Sequence, residues 1–216
     1  DVNEELTNAV NEGRSKIKEP GLNELVGRLV KRGKLKASPN VLQAVKKADI
    51  IVICVQTPLT KEKKPDLTFL EKACETVAQG LMDDKLVIVG SSVPPGTTTN
   101  RVASILESES RLKCAVNFWL AHCPERLTRG KVLQEIVQND RIVGGYDEVS
   151  GRVAAELFRA VLKGRVFVTD CTSAEIAKLA ENAFRDVNIA FANELALICE
   201  QTGSDAMEVI KLANTH

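Results

Sequence analysis

Short apolar runs alternate along the chain with amphipathic stretches. Five runs are rich in β-branched or aromatic residues and stop at polar, Gly or Pro positions, as strands buried on both faces do. They cover residues 50–55, 85–89, 114–118 (continuing to 121), 141–143 and 165–168. Helical spacing of apolar residues is found at 3–12, 41–48, 67–81, 97–108 and 148–162. Strands that alternate with helices predict parallel crossovers, and hence an α/β fold with a doubly wound, mostly parallel sheet.

The pattern changes after residue 171. Thr172 and Glu175 have the spacing of a capping box, in which Thr caps a helix and Glu returns a hydrogen bond to the cap. Neither Pro nor Gly then occurs before Gly203, which predicts one helix roughly 45 Å long. Such a helix suggests a spine between two domains. We therefore divide the chain into domains at 1–171 and 172–216, the second ending with a short helix at 206–213.

Composition excludes several classes of protein. The 216 residues carry 29 basic and 29 acidic side chains, so the chain lacks the positive charge expected of a nucleic-acid partner. Its apolar runs are far shorter than a membrane span. The six cysteines include no Cys-x-x-Cys pair, which favours a reduced, cytoplasmic protein without a metal site. Because the sequence starts at Asp1 without Met, we expect it to be an excerpt of a longer polypeptide.

Two loops of small hydroxyl, Pro and Gly residues follow predicted strands. Thr57 comes after the first strand, and Ser92 lies in the segment 91–96 after the second. Ligands bind outside the carboxyl ends of strands in open parallel sheets, so both loops are candidates for nucleotide binding, although ordinary connections would look the same. Asp1 precedes the helix at 3–12, where an acid could hold the ribose of a dinucleotide; a helix N-cap explains its position better.

A second candidate lies in the segment that closes the third strand. His122 and Cys123 are adjacent, but neighbouring strand residues point to opposite faces, so we do not expect a thiol–imidazole pair. Glu125 is the better candidate for a general base, because a carboxylate at a strand end can reach a cleft. The alternative is a solvated loop charge.

Three polar residues share one face of the predicted long helix. Lys178, Asn182 and Arg185 are spaced i, i+4 and i+7, within about 60° of each other. Two cations that flank an amide suit an anionic substrate or a developing oxyanion. A solvent-facing polar surface is the alternative.

In this order, the segments resemble the UDP-glucose/GDP-mannose dehydrogenase family over essentially the whole chain. The matching segments are Asp-Val-Asn-Glu (1–4), Glu-Pro-Gly-Leu (19–22), Val-Gln-Thr-Pro (55–58), Pro-Asp-Leu (65–67), Ser-Val-Pro-Pro-Gly-Thr (92–97), Cys-Pro-Glu-Arg (123–126), Asp-Arg-Ile-Val-Gly-Gly (140–145) and Lys-Leu-Ala-Glu-Asn-Ala-Phe-Arg-Asp-Val-Asn (178–188). Pro-Glu-Arg and the segment 184–190 are similar to the branch that acts on UDP-N-acetylhexosamines, whereas the glucose branch more usually carries Pro-Glu-Phe.

The resemblance implies a Rossmann-like domain without its first strand, followed by a helical spine that joins a homodimer. The implied activity is an NAD-dependent, four-electron oxidation of the C6 alcohol of a UDP-sugar, with UDP-N-acetyl-D-mannosamine the expected substrate. The residues implied to bind NAD are Asp1, Thr57 and Ser92. Those implied in catalysis are Glu125, Lys178 and Asn182. Those implied to bind the UDP-sugar are Arg126, Leu127, Lys178, Asn182 and Arg185.

Two family features are not found in the 216 residues. The Gly-x-Gly-x-x-Gly fingerprint is missing, and no cysteine lies in the Gly-Gly-x-Cys context of the family's nucleophile. We therefore expect no turnover from these residues alone. Three alternatives remain: a UDP-glucose or GDP-mannose dehydrogenase, a two-electron hydroxyacid dehydrogenase, and a non-catalytic nucleotide-binding or dimerisation module.

Overall fold

Five strands form one sheet in the computed structural model, which describes residues 1–215. The strands lie in chain order: β1 (Ile50–Ile53), β2 (Leu86–Val89), β3 (Trp119–His122), β4 (Arg141–Gly145) and β5 (Val166–Asp170). The pairs β1–β2, β2–β3 and β4–β5 are parallel, and β3–β4 is antiparallel. The predicted mostly parallel sheet is confirmed, and the antiparallel pair is a feature that the strand pattern does not single out.

Helices connect and cover these strands. Over the described residues they are α1 (Glu4–Asn11), α2 (Leu22–Lys31), α3 (Val41–Lys47), α4 (Thr68–Ala78), α5 (Ala103–Ser110), α6 (Val132–Gln138), α7 (Glu148–Arg159), α8 (Cys171–Thr202) and α9 (Ala206–Ala213). A π-helical segment, Thr97–Val102, leads directly into α5. The five predicted helices that precede α8 are present within a few residues, whereas α2 and α6 were not predicted.

The core lies on both faces of β2, all four residues of which are buried. Val87 and Val89 contribute to a cluster with α3, α4 and α5, and Ile88 contributes to a second cluster with α7. Each such side chain contributes about 1.5–3 kcal/mol when fully buried. Helices on both faces of the sheet confirm the doubly wound, Rossmann-like architecture. Their packing holds the strands, and therefore the loops that follow them, in defined positions.

A buried lysine joins α3 to this sheet. Lys85 precedes β2, and its ammonium donates hydrogen bonds to the backbone carbonyls of Val45 (3.0 Å), Lys46 (3.2 Å) and Ala48. These carbonyls lie at the end of α3, where a helix leaves acceptors unpaired and favours a positive charge. The charge of Lys85 is therefore satisfied although the side chain is buried.

The predicted strand at 114–118 is wrong. This segment is a turn in which Ala115 has a φ of 62° and the backbone N–H of Asn117 donates to the carbonyl of Lys113 (2.8 Å). The Asn117 side chain closes the turn by accepting from the N–H of Lys113 (2.9 Å). The strand begins only at Trp119. The apolar run continues through both turn and strand, so its pattern alone does not locate the boundary.

The start of α8 also differs from its prediction. Strand β5 runs straight into α8, so the cap position falls on Asp170, whose carboxylate accepts from the backbone N–H (2.8 Å) and the hydroxyl (2.6 Å) of Ser173. Thr172 is therefore already helical, and Glu175 bonds elsewhere in the fold. The predicted long helix is present, and α9 begins as predicted, with Asp205 accepting from the N–H groups of Met207 and Glu208.

The chain divides into two compact units, Asp1–Ile176 and Ala177–His216. The first contains the sheet and its covering helices, and the second contains most of α8 together with α9. Among the helices of residues 1–215, none is both long and apolar enough to cross a membrane. The same residues contain no group of three or more His, Cys, Asp or Glu side chains that could hold a metal ion.

Candidate cofactor and catalytic site

The two predicted nucleotide-binding loops contact each other at the carboxyl ends of β1 and β2. The hydroxyl of Ser91 accepts a hydrogen bond from the N–H of Val55 (2.9 Å) and donates one to its carbonyl (2.7 Å). The hydroxyl of Thr57 donates to the carbonyl of Ser92 (2.7 Å). The structure thus brings Thr57 and Ser92 together, and it adds Ser91 as the residue that joins the loops. We call residues 54–58 and 90–97 the strand-end loops.

Close packing holds the strand-end loops against the sheet. A Cβ atom at Gly90 would lie 2.8 Å from the Cys54 sulfur, so a larger residue would push the two loops apart. Gly96, near the end of the second loop, has a φ of 81°, in the left-handed region that glycine adopts without strain. The π-helical segment starts at the next residue, where the hydroxyl of Thr97 donates to the carbonyl of Pro94 (2.6 Å).

Asp1 does not cap the first helix. The cap of α1 is Asn3, whose side-chain oxygen accepts from the N–H of Leu6 (3.1 Å), and the Asp1 carboxylate accepts from the N–H of Asn3 (2.9 Å). The sequence favoured Asp1 as the N-cap of this helix. That prediction is wrong, because the N-cap lies two residues later, at Asn3. Its role in binding a ribose stays a prediction.

Glu125 lies beside a cavity of about 310 Å³ over the face of the sheet that packs against α7. Just over half of its side-chain surface is exposed, and Oε1 lies 3.7 Å from the Nη1 atom of Arg141. Polar and thiol side chains of the lining come from Cys54, Cys123, Glu125 and Arg141, and the rest of the lining is mostly apolar. A carboxylate that is reachable from such a cavity, next to a cation, can hold a water molecule or accept a proton.

Arg141 is a site residue that the sequence reasoning did not identify. It is buried at the start of β4, and its guanidinium carbon lies 5.8 Å from the centre of the Phe158 ring. Among the described residues, its Nε atom has no hydrogen-bond partner. The sequence contained one signal for this residue, an arginine at the start of an otherwise apolar strand. A charge that is buried usually has a specific partner, so such an arginine is a candidate site residue.

The two residues before Pro124 are not arranged for thiol catalysis. Burial raises the pKa of the Cys123 thiol to about 12 and lowers the pKa of His122 to about 4, so both are neutral near pH 7. The Nδ1 atom of His122 lies 3.4 Å from the hydroxyl of Thr98, so this ring nitrogen contacts a hydroxyl and not the Cys123 thiol. Glu125 therefore remains the better candidate in this segment.

Arg126 and Leu127 lie in the irregular segment between β3 and α6. The backbone N–H of Arg126 donates to the Glu125 carboxylate (2.6 Å), and its guanidinium donates to the carbonyl of Asp140 (3.4 Å). Leu127 is half-buried. Their contact with a UDP-sugar stays a prediction.

Lys178, Asn182 and Arg185 lie on α8 in the second unit. The helix is continuous through all three, so the predicted spacing places them on one face, and a guanidinium nitrogen of Arg185 donates to the side-chain oxygen of Asn182 (3.4 Å). That this face is turned toward Glu125 stays a prediction.

Comparison with known proteins matches both parts of the chain to one family. Residues 1–162 match the NAD binding domain of the UDP-glucose/GDP-mannose dehydrogenase family, and residues 172–216 match its central domain. The chain belongs to this family. Members of the UDP-glucose/GDP-mannose dehydrogenase family use NAD, so the predicted cofactor class agrees with the matched domain.

Relatives within the UDP-glucose/GDP-mannose dehydrogenase family cover the whole chain. The UDP-N-acetyl-D-mannosamine dehydrogenase of Pyrococcus horikoshii is 44% identical over 216 residues, which are 100% of this chain and 51% of that protein. Its solved structure superposes with a TM-score of 0.96 at 43% identity, covering 100% and 51% of the two chains. The NDP-N-acetyl-D-galactosaminuronic acid dehydrogenase of Ralstonia solanacearum is 40% identical and is covered over 52% of its length. The chain thus spans about half the length of these relatives.

Proposed function

We propose that the whole protein oxidises the C6 alcohol of a UDP-N-acetylhexosamine to a carboxylate, with UDP-N-acetyl-D-mannosamine as the substrate and NAD as the acceptor. The observation that carries the proposal is the 44% identity to a UDP-N-acetyl-D-mannosamine dehydrogenase across all 216 residues. The joined strand-end loops and the accessible Glu125 carboxylate support it. Residues 1–171 would form the cofactor domain, and 172–216 would begin the central domain.

The residues present fit one part of a dinucleotide site. Thr57 and Ser92 meet at the carboxyl ends of parallel strands, where open α/β sheets bind nucleotides. Asp1 would hold the ribose of the adenosine. When bound, NAD would accept a hydride from C6 of the sugar, and two NAD molecules would be consumed for each sugar because oxidation of the alcohol to the carboxylate removes four electrons.

The remaining candidate residues supply acid–base and electrostatic chemistry. Glu125 would position the water that hydrolyses the thioester to the family's Gly-Gly-x-Cys nucleophile, which releases the carboxylate product and the free thiol, and Arg141 would orient Glu125. Lys178 and Asn182, one helical turn apart, would donate hydrogen bonds to the same developing oxyanion. Arg126, Leu127 and Arg185 would contact the nucleotide sugar.

The proposal extends to assembly and location. We propose a homodimer through α8, supported by the exposed apolar side chains of Phe184, Val187 and Phe191 on that helix. We also propose that the enzyme acts in the cytoplasm, because all six cysteines are free thiols and a reducing compartment preserves such thiols.

The deciding experiment uses the full-length protein. Excess enzyme and NAD are mixed with a limiting amount of UDP-N-acetyl-D-mannosamine, and NADH absorbance is measured together with the mass of the product. We expect two NADH for each sugar and a product carboxylated at C6. One NADH for each sugar would indicate a two-electron dehydrogenase. If only UDP-glucose or GDP-mannose is oxidised, the proposed substrate is wrong. If no nucleotide sugar yields NADH, the proposal is rejected.

Lys178→Ala tests the proposed oxyanion contact. We expect turnover to fall by roughly 100-fold or more, the effect of losing one donor to an oxyanion. Thermal unfolding of the same variant should stay close to that of the unmodified protein. Lys211→Ala, on the neighbouring helix α9, is the matched control and should retain activity. A large loss of thermal stability with full activity per folded molecule would make Lys178 a structural residue.

A further inference from the structure

Glu175 connects α8 to the second strand-end loop. Its side chain is almost completely buried, at 1% exposure. One carboxylate oxygen accepts from the backbone N–H of Thr98 (2.8 Å) and the other from the N–H of Gly96 (2.5 Å). The partners are 77 and 79 residues away in sequence, so this is a tertiary contact within the first unit.

The contact supplies a cap that the loop itself lacks. The helical segment that begins at Thr97 follows Gly96, which has no side chain to accept from the first N–H groups. A helix leaves these donors unpaired and favours a negative charge beside them. Glu175 meets both requirements from another helix, while α8 uses Asp170 as its own cap.

The same segment is fixed at its other end. Ser91 joins it to the first loop through Val55, and Thr57 bonds to Ser92. Residues 90–97 are therefore held by hydrogen bonds to the first strand-end loop on one side and to Glu175 on the other. A buried residue that acts through backbone N–H groups cannot itself touch a bound nucleotide, so any effect of Glu175 on binding has to pass through the loop.

We propose that Glu175 is a positioning residue for NAD, which holds the second strand-end loop in the conformation that binds the cofactor. This inference rests on the proposed function, because it requires that the loop contacts NAD. Removing the carboxylate lets the loop adopt further conformations, and the free energy of ordering it is then subtracted from the binding of the cofactor. Chemistry after binding does not depend on this contact.

The test measures NAD binding and turnover in the full-length protein. In Glu175→Gln the amide keeps the size of the side chain, but only one of its two terminal atoms can accept. We expect the Kd and the KM for NAD to rise by about tenfold to 100-fold, since two charge-assisted hydrogen bonds are weakened or lost. The kcat at saturating NAD should stay within about twofold. Glu75→Gln, the same change on the exposed surface of α4, is the control and should leave all three values unchanged.

A second variant covers the case in which Glu175→Gln does not fold. Glu175→Asp keeps the charge and withdraws it by one methylene, so a smaller increase in the Kd is expected. Folded Glu175→Gln or Glu175→Asp that binds NAD as tightly as the unmodified protein overturns the inference, as does a lower kcat at an unchanged Kd. If neither variant folds, the role is structural and the inference is also overturned. Failure of the unmodified protein to bind NAD would instead overturn the proposed function.

Discussion

The strand-end loops and the cavity beside Glu125 lie at the same end of the sheet, but their buried polar groups are satisfied to different degrees. At the loops, Ser91 and, from α8, Glu175 each make two hydrogen bonds to backbone groups at 2.5–2.9 Å. In the cavity, Arg141 approaches the Glu125 carboxylate only to 3.7 Å, and among residues 1–215 its Nε atom has no partner.

This difference indicates a structural role for the strand-end loops and a chemical role for the cavity beside Glu125. A fully hydrogen-bonded network is rigid and keeps its geometry with or without a ligand. A buried cation with an unpaired N–H group is costly to maintain for stability alone, which favours a role in holding a reacting group. We therefore interpret the strand-end loops as a preformed binding surface for the cofactor. We interpret the Glu125 cavity as the region whose charged side chains take part in the reaction.

His122, the last residue of β3, also carries an unpaired buried polar atom, and it gives the largest expected effect. Its Nε2 atom is buried without a hydrogen-bond partner in the described part of the chain, and burial lowers its pKa from 6.5 to about 4. Between these values the unfolded chain binds a proton that the folded protein does not. The free energy of unfolding should therefore fall as pH drops from 6.5 to 4, by about 3 kcal/mol from this residue.

The measurement compares chemical unfolding of the unmodified protein and His122→Gln over that pH range. Carboxylates contribute equally to both proteins, so the difference between the two curves reports the histidine. The His122 ring can also be followed by proton NMR, since the sequence contains only two histidines. A ring that titrates near pH 6.5 in the folded protein would contradict the prediction.

Arg141→Met tests whether the cavity is organised for chemistry. Without the guanidinium, the Glu125 carboxylate can reorient, and displacing a reacting group by 1 Å can cost about 100-fold, so we expect turnover to fall by about tenfold to 100-fold. Stability should change little, because replacing a poorly paired buried charge with an apolar side chain is often neutral. Steady-state turnover and thermal unfolding of the full-length protein check both expectations.

Arg159→Met is the matched control, because Arg159 forms an exposed ion pair with Glu156 on α7. It should preserve turnover and stability. Arg141→Lys should recover part of the lost activity if positive charge beside Glu125 is what matters. Unfolding of Arg141→Met at lower temperature, with full activity per folded molecule, would make Arg141 a structural residue.

The features that the sequence predicted are those encoded locally. Apolar runs located β1 and β2, and Asp205 correctly marked the start of α9, because both signals depend on neighbouring residues. The partners of Arg141 and Glu175 could not be read from the sequence, since they are set by tertiary packing. Glu175 shows the limit most clearly: its spacing from Thr172 suggests a local cap, yet its carboxylate reaches a loop 77 residues away.

The smallest expected effect tests the loops themselves. Ser91→Ala removes the hydroxyl that accepts from and donates to the backbone of Val55, leaving those groups to find other partners. We expect the free energy of unfolding to fall by about 1–3 kcal/mol, the cost of leaving a buried polar group unpaired. Ser108→Ala is the control, because Ser108 is exposed and its hydroxyl donates to the carbonyl of Ile105 within the same helical turn. Denaturant unfolding of both variants measures the difference, and equal stability would mean that the loops are held by packing around Gly90 rather than by the hydrogen bonds of Ser91.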